Sequence, residues 1–111
     1  MSKTKGIIYI IGPYRAPTPD GIDANIAKAR IVAERLWREG YTVICPHLNS
    51  ARMDGVVVDD MFLNGYLRII VMCDGVYVME GWEGSVGSTA ELNLAARCRL
   101  EITYEKPRED N

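Results

Sequence analysis

Apolar residues gather in four short runs along the chain. Residues 6–11 form a nearly continuous apolar run without alternation, which is typical of a central parallel strand covered on both faces. Residues 75–79 form a second apolar, β-rich run of the same kind. Together with residues 41–45 and 100–104, these runs predict four strands.

Two of the segments between these strands have ordinary helical features. The segment that ends at Gly40 is amphipathic, and Asp23 is its candidate N-cap. The stretch from Ala90 to Leu100 has helical composition and follows a glycine-rich loop. Apolar positions in the first of these helices recur at three- and four-residue spacing, at Ile22, Ile26, Ala29, Ala33, Leu36 and Trp37.

A third predicted helix begins at Met61 and extends to Met72, with Asp59 or Asp60 as its cap. Its apolar residues cover nearly the whole circumference. A helix that is apolar on all sides must be buried, and in so small a domain one sheet cannot cover it. We therefore expect this helix to form the interface of a homo-oligomer.

The predicted element order is β-α-β-α-β-α-β, in a single domain that spans residues 1–111. This alternation predicts an α/β fold in which a four-stranded parallel sheet has helices on both faces. We expect the strand order 2-1-3-4 of flavodoxin-like and Rossmann-like three-layer domains, with the switch point between the first and third strands. Ligands of such sheets bind beyond the carboxyl ends of the strands, near that point.

Composition narrows the classes of function. Apolar residues make up 48% of the chain and charged residues 25%, with a net charge of -2 and no basic run, so neither nucleic acid nor a membrane is an expected partner. The charged first residues lead straight into a strand, and we expect a cytoplasmic protein. The tail from residue 105 is charged and is expected to fray. Reduced core thiols, rather than disulfides or a metal site, are expected at Cys45, Cys73 and Cys98.

The loop after the third predicted strand is rich in Gly, Ser and Thr and leads into a helix. Its glycines allow close approach of the backbone, and the free amides of a helix N-terminus attract an anion. Glu91 follows one turn into the helix, so its carboxylate is a candidate catalytic group at the same mouth. Ser88 and Glu91 also match a capping box, and the two roles are compatible. A cap alone, however, does not require Gly81, Gly84 and Gly87 ahead of it.

A second candidate loop ends the first strand with Gly12, Pro13, Tyr14 and Arg15. Arg15 offers a planar fork for phosphate or carboxylate, and Tyr14 offers a hydroxyl and an aromatic face. Either residue is alternatively an ordinary surface side chain. The turn-rich residues 16–21 are a possible flap over the site. His47, after the second strand, is a candidate for base recognition, for general base catalysis or for a structural role.

The two loops together resemble those of the nucleoside 2-deoxyribosyltransferase superfamily, and in particular its short bacterial and phage members. The resemblance covers residues 6 to about 104. The motifs that carry it are Gly12-Pro13-Tyr14-Arg15, Cys45-Pro46, Cys73-Asp74-Gly75-Val76-Tyr77-Val78, Gly81-Trp82-Glu83-Gly84-Ser85-Val86-Gly87 and Glu91.

The resemblance implies that Glu91 attacks the anomeric carbon of a nucleoside or nucleoside 5'-monophosphate and displaces the base. A glycosyl-enzyme would form, and transfer or hydrolysis would follow with retention of configuration. Related nucleoside 5'-monophosphate N-hydrolases bind phosphate through a serine and an arginine at places that Ser85 and Arg15 occupy here. The remaining residues implied in substrate binding are Gly12, Tyr14, His47, Trp82, Gly87 and Ser88, with no metal or organic cofactor.

One position departs from the superfamily's pattern. An aspartate that assists the leaving base is usual about eight residues before Asp74, where this chain has Gly65 or Tyr66. Asp54, Asp59 and Asp60 are candidate replacements. The alternatives to an enzyme are a catalytically silent nucleotide-binding module of the same fold, and an interaction protein that uses the apolar helix around Tyr66.

Overall fold

A computed structural model of the protein describes residues 5–106. The four strands form one parallel sheet in the order β2-β1-β3-β4, which confirms the predicted α/β fold and its 2-1-3-4 order. Along the chain the elements are β1 (Ile7–Ile11), α1 (Pro19–Arg38), β2 (Thr42–Ile44), α2 (Pro46–Asn49), α3 (Asp59–Ile70), β3 (Gly75–Val78), a 3₁₀ turn (Trp82–Gly84), α4 (Val86–Arg97) and β4 (Glu101–Tyr104).

The central strand β1 sends alternate side chains to opposite faces of the sheet, and both faces are covered. On one face, Ile8 and Ile10 belong to an apolar cluster with the buried side of α1, including Leu36. On the other face, Tyr9 and Ile11 belong to a cluster with residues of α3 and α4. Helices on both faces explain why β1 is apolar throughout.

Two glycines shape the turns by which the chain leaves the sheet beside the switch point. A Cβ atom at Gly12 would lie 2.9 Å from Met79 Sδ, so a larger residue there requires the Met79 side chain to shift where β1 passes the end of β3. Gly81 has a φ of +91°, a left-handed conformation that side chains rarely adopt. Both turns open the region beyond the carboxyl ends of β1 and β3.

The first two helices differ from their predicted limits. Helix α1 begins at Pro19 rather than after Asp23, because the Thr18 hydroxyl caps it by accepting a hydrogen bond from Gly21 N at 3.1 Å. The last residues of the predicted flap are therefore helical. The short helix α2 was not predicted, since four residues are too few to show a period.

Helix α3 is less buried in the chain than its composition predicts. Ile70 is its one buried residue, whereas Met61 is 59% exposed and Met72, just beyond the helix, is 74% exposed. The two aspartates lie inside the first turn, and Val58 occupies the N-cap position without a side-chain hydrogen bond. An oligomer interface through this helix stays a prediction.

Cys45 and Cys73 are buried thiols as predicted, whereas Cys98 is exposed at the C-cap of α4, so its prediction as a core thiol is wrong. The described start of the tail is attached to the sheet, because Glu105 N donates to Val78 O at 2.8 Å. The rest of the tail that was expected to fray, residues 107–111, lies outside the described residues. No helix within residues 5–106 is long and apolar enough to cross a membrane.

Candidate active site

A cavity of about 550 Å³ lies beyond the carboxyl end of β1 and is bordered by α2, α3 and the start of α4. This is where a doubly wound sheet binds its ligands, and the volume is typical of small-molecule sites. The predicted site residues that line it are Gly12, Tyr14, Arg15, His47, Ser85, Gly87, Ser88 and Glu91.

Helix geometry explains how Glu91 reaches the floor of this cavity. The buried residues of α4 recur at three- and four-residue spacing, so they share one face of the helix. Leu92 and Ala95, toward the C-terminus, pack in the apolar cluster under the sheet. Ser88 and Glu91, toward the N-terminus, continue the same face into the cavity. Glu91 is consequently only 8% exposed.

The carboxylate of Glu91 is paired with a tyrosine from the central strand. Tyr9 is fully buried, and its hydroxyl donates a hydrogen bond to Glu91 Oε2. Burial raises the pKa of Glu91 from its ordinary 4.5 to about 7, although the hydrogen bond from Tyr9 opposes the rise. Burial and the adjacent carboxylate raise the pKa of Tyr9, so the phenol keeps its proton. Oε1 has no hydrogen-bond partner among residues 5–106, so it is available to a ligand.

The N-terminus of α4 differs from the predicted capping box. Ser85, not Ser88, is the N-cap, and its hydroxyl accepts a hydrogen bond from Ser88 N at 3.2 Å. The helix therefore begins at Val86, earlier than predicted, and Glu91 lies in its second turn, too far from the end to cap it. The Ser88 hydroxyl is buried and has no hydrogen-bond partner among the described residues. A buried hydroxyl of this kind requires an explanation, and a ligand in the cavity supplies one.

The loop after β1 is tied across the cavity mouth to the segment between α2 and α3. Tyr14 donates to Asp54 Oδ1 at 2.7 Å, and Arg15 Nη1 lies 3.1 Å from Asp54 Oδ2. Arg15 Nη2 also contacts Asp59. The predicted anion ligand Arg15 is thus in the cavity, but its guanidinium is already paired with two carboxylates of the chain.

His47 has the structural role among its predicted alternatives. It is 3% exposed, and its Nε2 lies 3.1 Å from the carbonyl oxygens of both Gly12 and Pro13. Because carbonyls only accept, Nε2 carries the proton and donates it to the β1 loop. Burial lowers the pKa of His47, so the ring is neutral and holds the loop in place.

Trp82, which the resemblance implies in substrate binding, is not among the residues that line the cavity. Its ring packs against Tyr104, with the two ring centroids 6.3 Å apart, and joins the apolar cluster beside β3. The 3₁₀ turn that follows Gly81 directs the indole back toward the sheet. A loop sequence does not reveal which way a turn points its side chains, and a role for Trp82 in substrate binding stays a prediction.

The predicted set leaves out several residues at or beside the site. Tyr9, the one hydroxyl-bearing residue of β1, contacts Glu91 from beneath the cavity lining but lies in a run predicted only as a buried strand. Phe62 and Tyr66, four residues apart on α3, form an aromatic wall. The Tyr66 hydroxyl is bonded to Ser50 Oγ at 2.7 Å, which holds it toward α2. The acidic residues suggested as replacements for the missing aspartate all line the cavity: Asp54, Asp59 and Asp60.

The site offers little to a metal ion within the part of the chain that the structure describes. No group of three or more His, Cys, Asp or Glu side chains there is arranged to hold one. The polar groups that face the cavity instead suit hydroxyl groups and a heterocycle: a buried carboxylate, an unpartnered hydroxyl and aromatic rings.

The chain matches a protein family along nearly its whole described length. The family described as a domain of unknown function (DUF4406) matches residues 8–104, a range that includes every lining residue of the cavity. Comparison with curated proteins finds no match.

Proposed function

The chain belongs to the DUF4406 family, and we propose that it cleaves or transfers at the N-glycosidic bond of a nucleoside or nucleoside 5'-monophosphate. The observation that carries the proposal is the buried Glu91 carboxylate at the floor of the cavity, held by Tyr9. The resemblance of the two loops to nucleoside 2-deoxyribosyltransferases supports the same reaction class.

Glu91 is the nucleophile in this proposal. One oxygen forms a bond to the anomeric carbon of the sugar, the bond from that carbon to the base breaks, and the base leaves with the electron pair. Water or a second base then attacks the same carbon and the carboxylate leaves, so configuration is retained. With a pKa of about 7, roughly half of Glu91 is ionised and reactive at neutral pH.

Tyr9 orients the nucleophile. Its hydroxyl is bonded to Oε2, which fixes the plane of the carboxylate and leaves Oε1 for the sugar. The hydrogen bond also favours the ionised carboxylate against the effect of burial. A tyrosine in the sheet and a glutamate in the helix thereby form a rigid pair, which is what a positioned nucleophile requires.

The start of α4 supplies the polar contacts for the sugar. The Ser88 hydroxyl is unpartnered among the described residues, and the Ser85 hydroxyl accepts from Ser88 N while keeping its own proton to donate. Gly87 leaves this wall open, since a Cβ there would meet only Leu63 Cδ1, at 4.0 Å. The helix N-terminus favours oxygen-rich, partly negative groups of the ligand.

Base release from ribo- and deoxyribonucleosides and their 5'-monophosphates, with and without an acceptor base, tests the proposal. We expect wild type to release base and Glu91→Gln to lose about 10³-fold or more in rate, because an amide cannot form the covalent bond that the carboxylate forms. Glu83→Gln is the matched control, since Glu83 lies in the adjacent turn but does not line the cavity. Equal rates in wild type and Glu91→Gln contradict the proposal.

A nucleotide-binding module without catalysis is the second candidate, and one observation favours it. At the place of Gly65 or Tyr66 the superfamily has an aspartate that assists the leaving base. Here Gly65 has no side chain, and the space that its Cβ atom would occupy is empty to 4 Å. The neighbouring Tyr66 hydroxyl is already hydrogen-bonded at α2, so neither residue replaces the aspartate. A ligand-dependent rise in melting temperature without base release in any of these reactions supports this candidate over the enzyme.

A further inference from the structure

Negatively charged side chains outnumber positively charged ones in the lining of the cavity. Asp54, Asp59 and Asp60 line it, whereas Arg15 is the single cationic side chain among its lining residues within the described range 5–106. Burial lowers the pKa of His47, so this ring adds no positive charge at neutral pH. Because an excess of carboxylates repels anions and attracts cations, the rim favours a positively charged ligand.

Arg15 is already engaged in ion pairs with carboxylates of the chain, and a phosphate would have to compete with them. Its guanidinium is bonded to Asp54 at 3.1 Å and also contacts Asp59. The hydrogen bond from Tyr14 and the charge of Arg15 lower the pKa of Asp54, so that carboxylate stays ionised. A 5'-phosphate at Arg15 would displace one carboxylate and lie beside the others. The rim therefore disfavours a phosphorylated ligand.

Aromatic side chains also line the cavity, two of them from the helix that carries Asp59 and Asp60. Phe62 and Tyr66 lie one turn apart on α3, and Tyr14 lines the cavity from the loop after β1. The faces of aromatic rings attract cations, and sites for organic cations combine such rings with carboxylates. Aromatic rings together with the acidic rim suit a flat heterocycle that carries a positive charge.

The tyrosine hydroxyl groups that line the cavity are already hydrogen-bonded within the protein, so they are not free to protonate a base. Tyr14 donates to Asp54 at 2.7 Å, and the Tyr66 hydroxyl is bonded to Ser50 and accepts from Asn49 at 3.0 Å. A neutral base leaves its sugar readily only when a donor protonates it. A base that carries a positive charge leaves as a neutral molecule and needs no proton.

The Ser88 hydroxyl gives an independent indication that a ligand binds here. Ser88 is 1% exposed and lines the cavity, and its Oγ has no hydrogen-bond partner among residues 5–106. Leaving a buried hydroxyl unbonded costs stability, which a ligand hydroxyl would recover. A sugar hydroxyl beside Glu91 fits this requirement.

We propose that the site takes nucleosides whose base is positively charged, such as pyridinium ribosides, and which lack a 5'-phosphate; this inference rests on the proposed glycosidic cleavage. In the first step a Glu91 oxygen bonds to C1', while the bond from C1' to the base nitrogen breaks and its electron pair neutralises the base. In the second step water oxygen bonds to C1', the carboxylate leaves, and one proton goes to solvent. Cationic nucleoside and water thus give neutral base, free sugar and one proton.

Binding to the inactive Glu91→Gln protein tests the ligand class without turnover. The probes are nicotinamide riboside, its neutral 1,4-dihydro form of nearly the same shape, and its 5'-phosphate, each titrated by calorimetry. We expect the cationic riboside to bind at least tenfold more tightly than the dihydro form and more tightly than the 5'-phosphate. Asp60→Asn should reduce the preference for the cation about fivefold, because it removes one rim carboxylate.

The matched control is Asp20→Asn, which removes an acidic residue from the first turn of α1, outside the cavity lining. This variant should keep the full preference for the cation. Turnover by wild type supplies a second readout, since hydrolysis of the pyridinium riboside releases one proton that a weakly buffered solution reports.

Two results would overturn the inference. The first leaves the proposed glycosidic cleavage intact, whereas the second refutes the cleavage as well. If neutral nucleosides lose their base but the cation binds no more tightly than its dihydro form, the inference fails and the proposed cleavage stands. If wild type releases base from neither cationic nor neutral nucleosides, the proposed function fails together with the inference. Preferential binding and proton release from the pyridinium riboside support both.

Discussion

Neutralising Glu91 should stabilise the protein at high pH but not at low pH. The pKa of Glu91 rises from 4.5 to about 7 on folding, because burial disfavours the carboxylate. A raised pKa means that the folded state binds the proton more tightly than the unfolded state does, so the associated stability is present at low pH and is lost as pH rises toward 7. By this linkage the protonated carboxyl contributes about 2.5 kcal/mol at pH 5 and almost nothing at pH 8.

Urea unfolding at pH 5 and pH 8, followed by tryptophan fluorescence, measures this contribution. Glutamine cannot ionise, so the free energy of unfolding of Glu91→Gln should lack this pH dependence. Relative to the variant, wild type should lose about 2.5 kcal/mol between pH 5 and pH 8. Titration of other groups cancels in the comparison, and Glu83→Gln should follow wild type. A difference between wild type and Glu91→Gln that stays constant with pH would refute the argument that burial perturbs this carboxyl.

Three further substitutions test the support of the site. Tyr9→Phe removes a hydrogen bond that lowers the pKa of Glu91, so the pH profile of base release should move to higher pH; an unchanged profile contradicts the pairing. Gly12→Ala places a Cβ 2.9 Å from Met79 Sδ and should cost about 1–3 kcal/mol in urea unfolding, whereas a cost below about 0.5 kcal/mol refutes the close approach. Ser85→Ala removes the N-cap of α4 and should lower the free energy of unfolding by about 1 kcal/mol; no loss argues against the cap.

The fold could be predicted from the sequence because each strand and helix shows its own local pattern of apolar residues. Strand β1 is apolar along its whole length, so both faces of the sheet must be covered there. Because a helix connects each strand to the next, the strands pair in parallel through crossover connections. Glu91 was accessible for the same reason, since a glycine-rich loop before a helix is visible in the chain. Its burial was not predicted, although Glu91 shares the three- and four-residue spacing of Leu92 and Ala95, because the start of the helix was placed too late.

The hydrogen bonds and ion pairs that define the site join residues far apart in the sequence, and the sequence alone did not predict them. Tyr9 and Glu91 are 82 residues apart, and a single tyrosine in an apolar strand resembles ordinary core. Arg15 and Asp54 are 39 residues apart, and Asp54 lies in a segment without periodicity, so nothing local indicates that it neutralises the arginine. The orientation of Trp82 depends on a single tight turn, whose direction only the folded chain reveals.

The central claim is that Glu91 is the nucleophile of N-glycosidic cleavage. Base release as a function of pH, compared between wild type and Glu91→Gln, tests it most directly. We expect the wild-type rate to rise about tenfold per pH unit below about 7 and to level off above it, while the variant is inactive at every pH. Base release by Glu91→Gln at the wild-type rate, or no release by wild type at any pH, would contradict it.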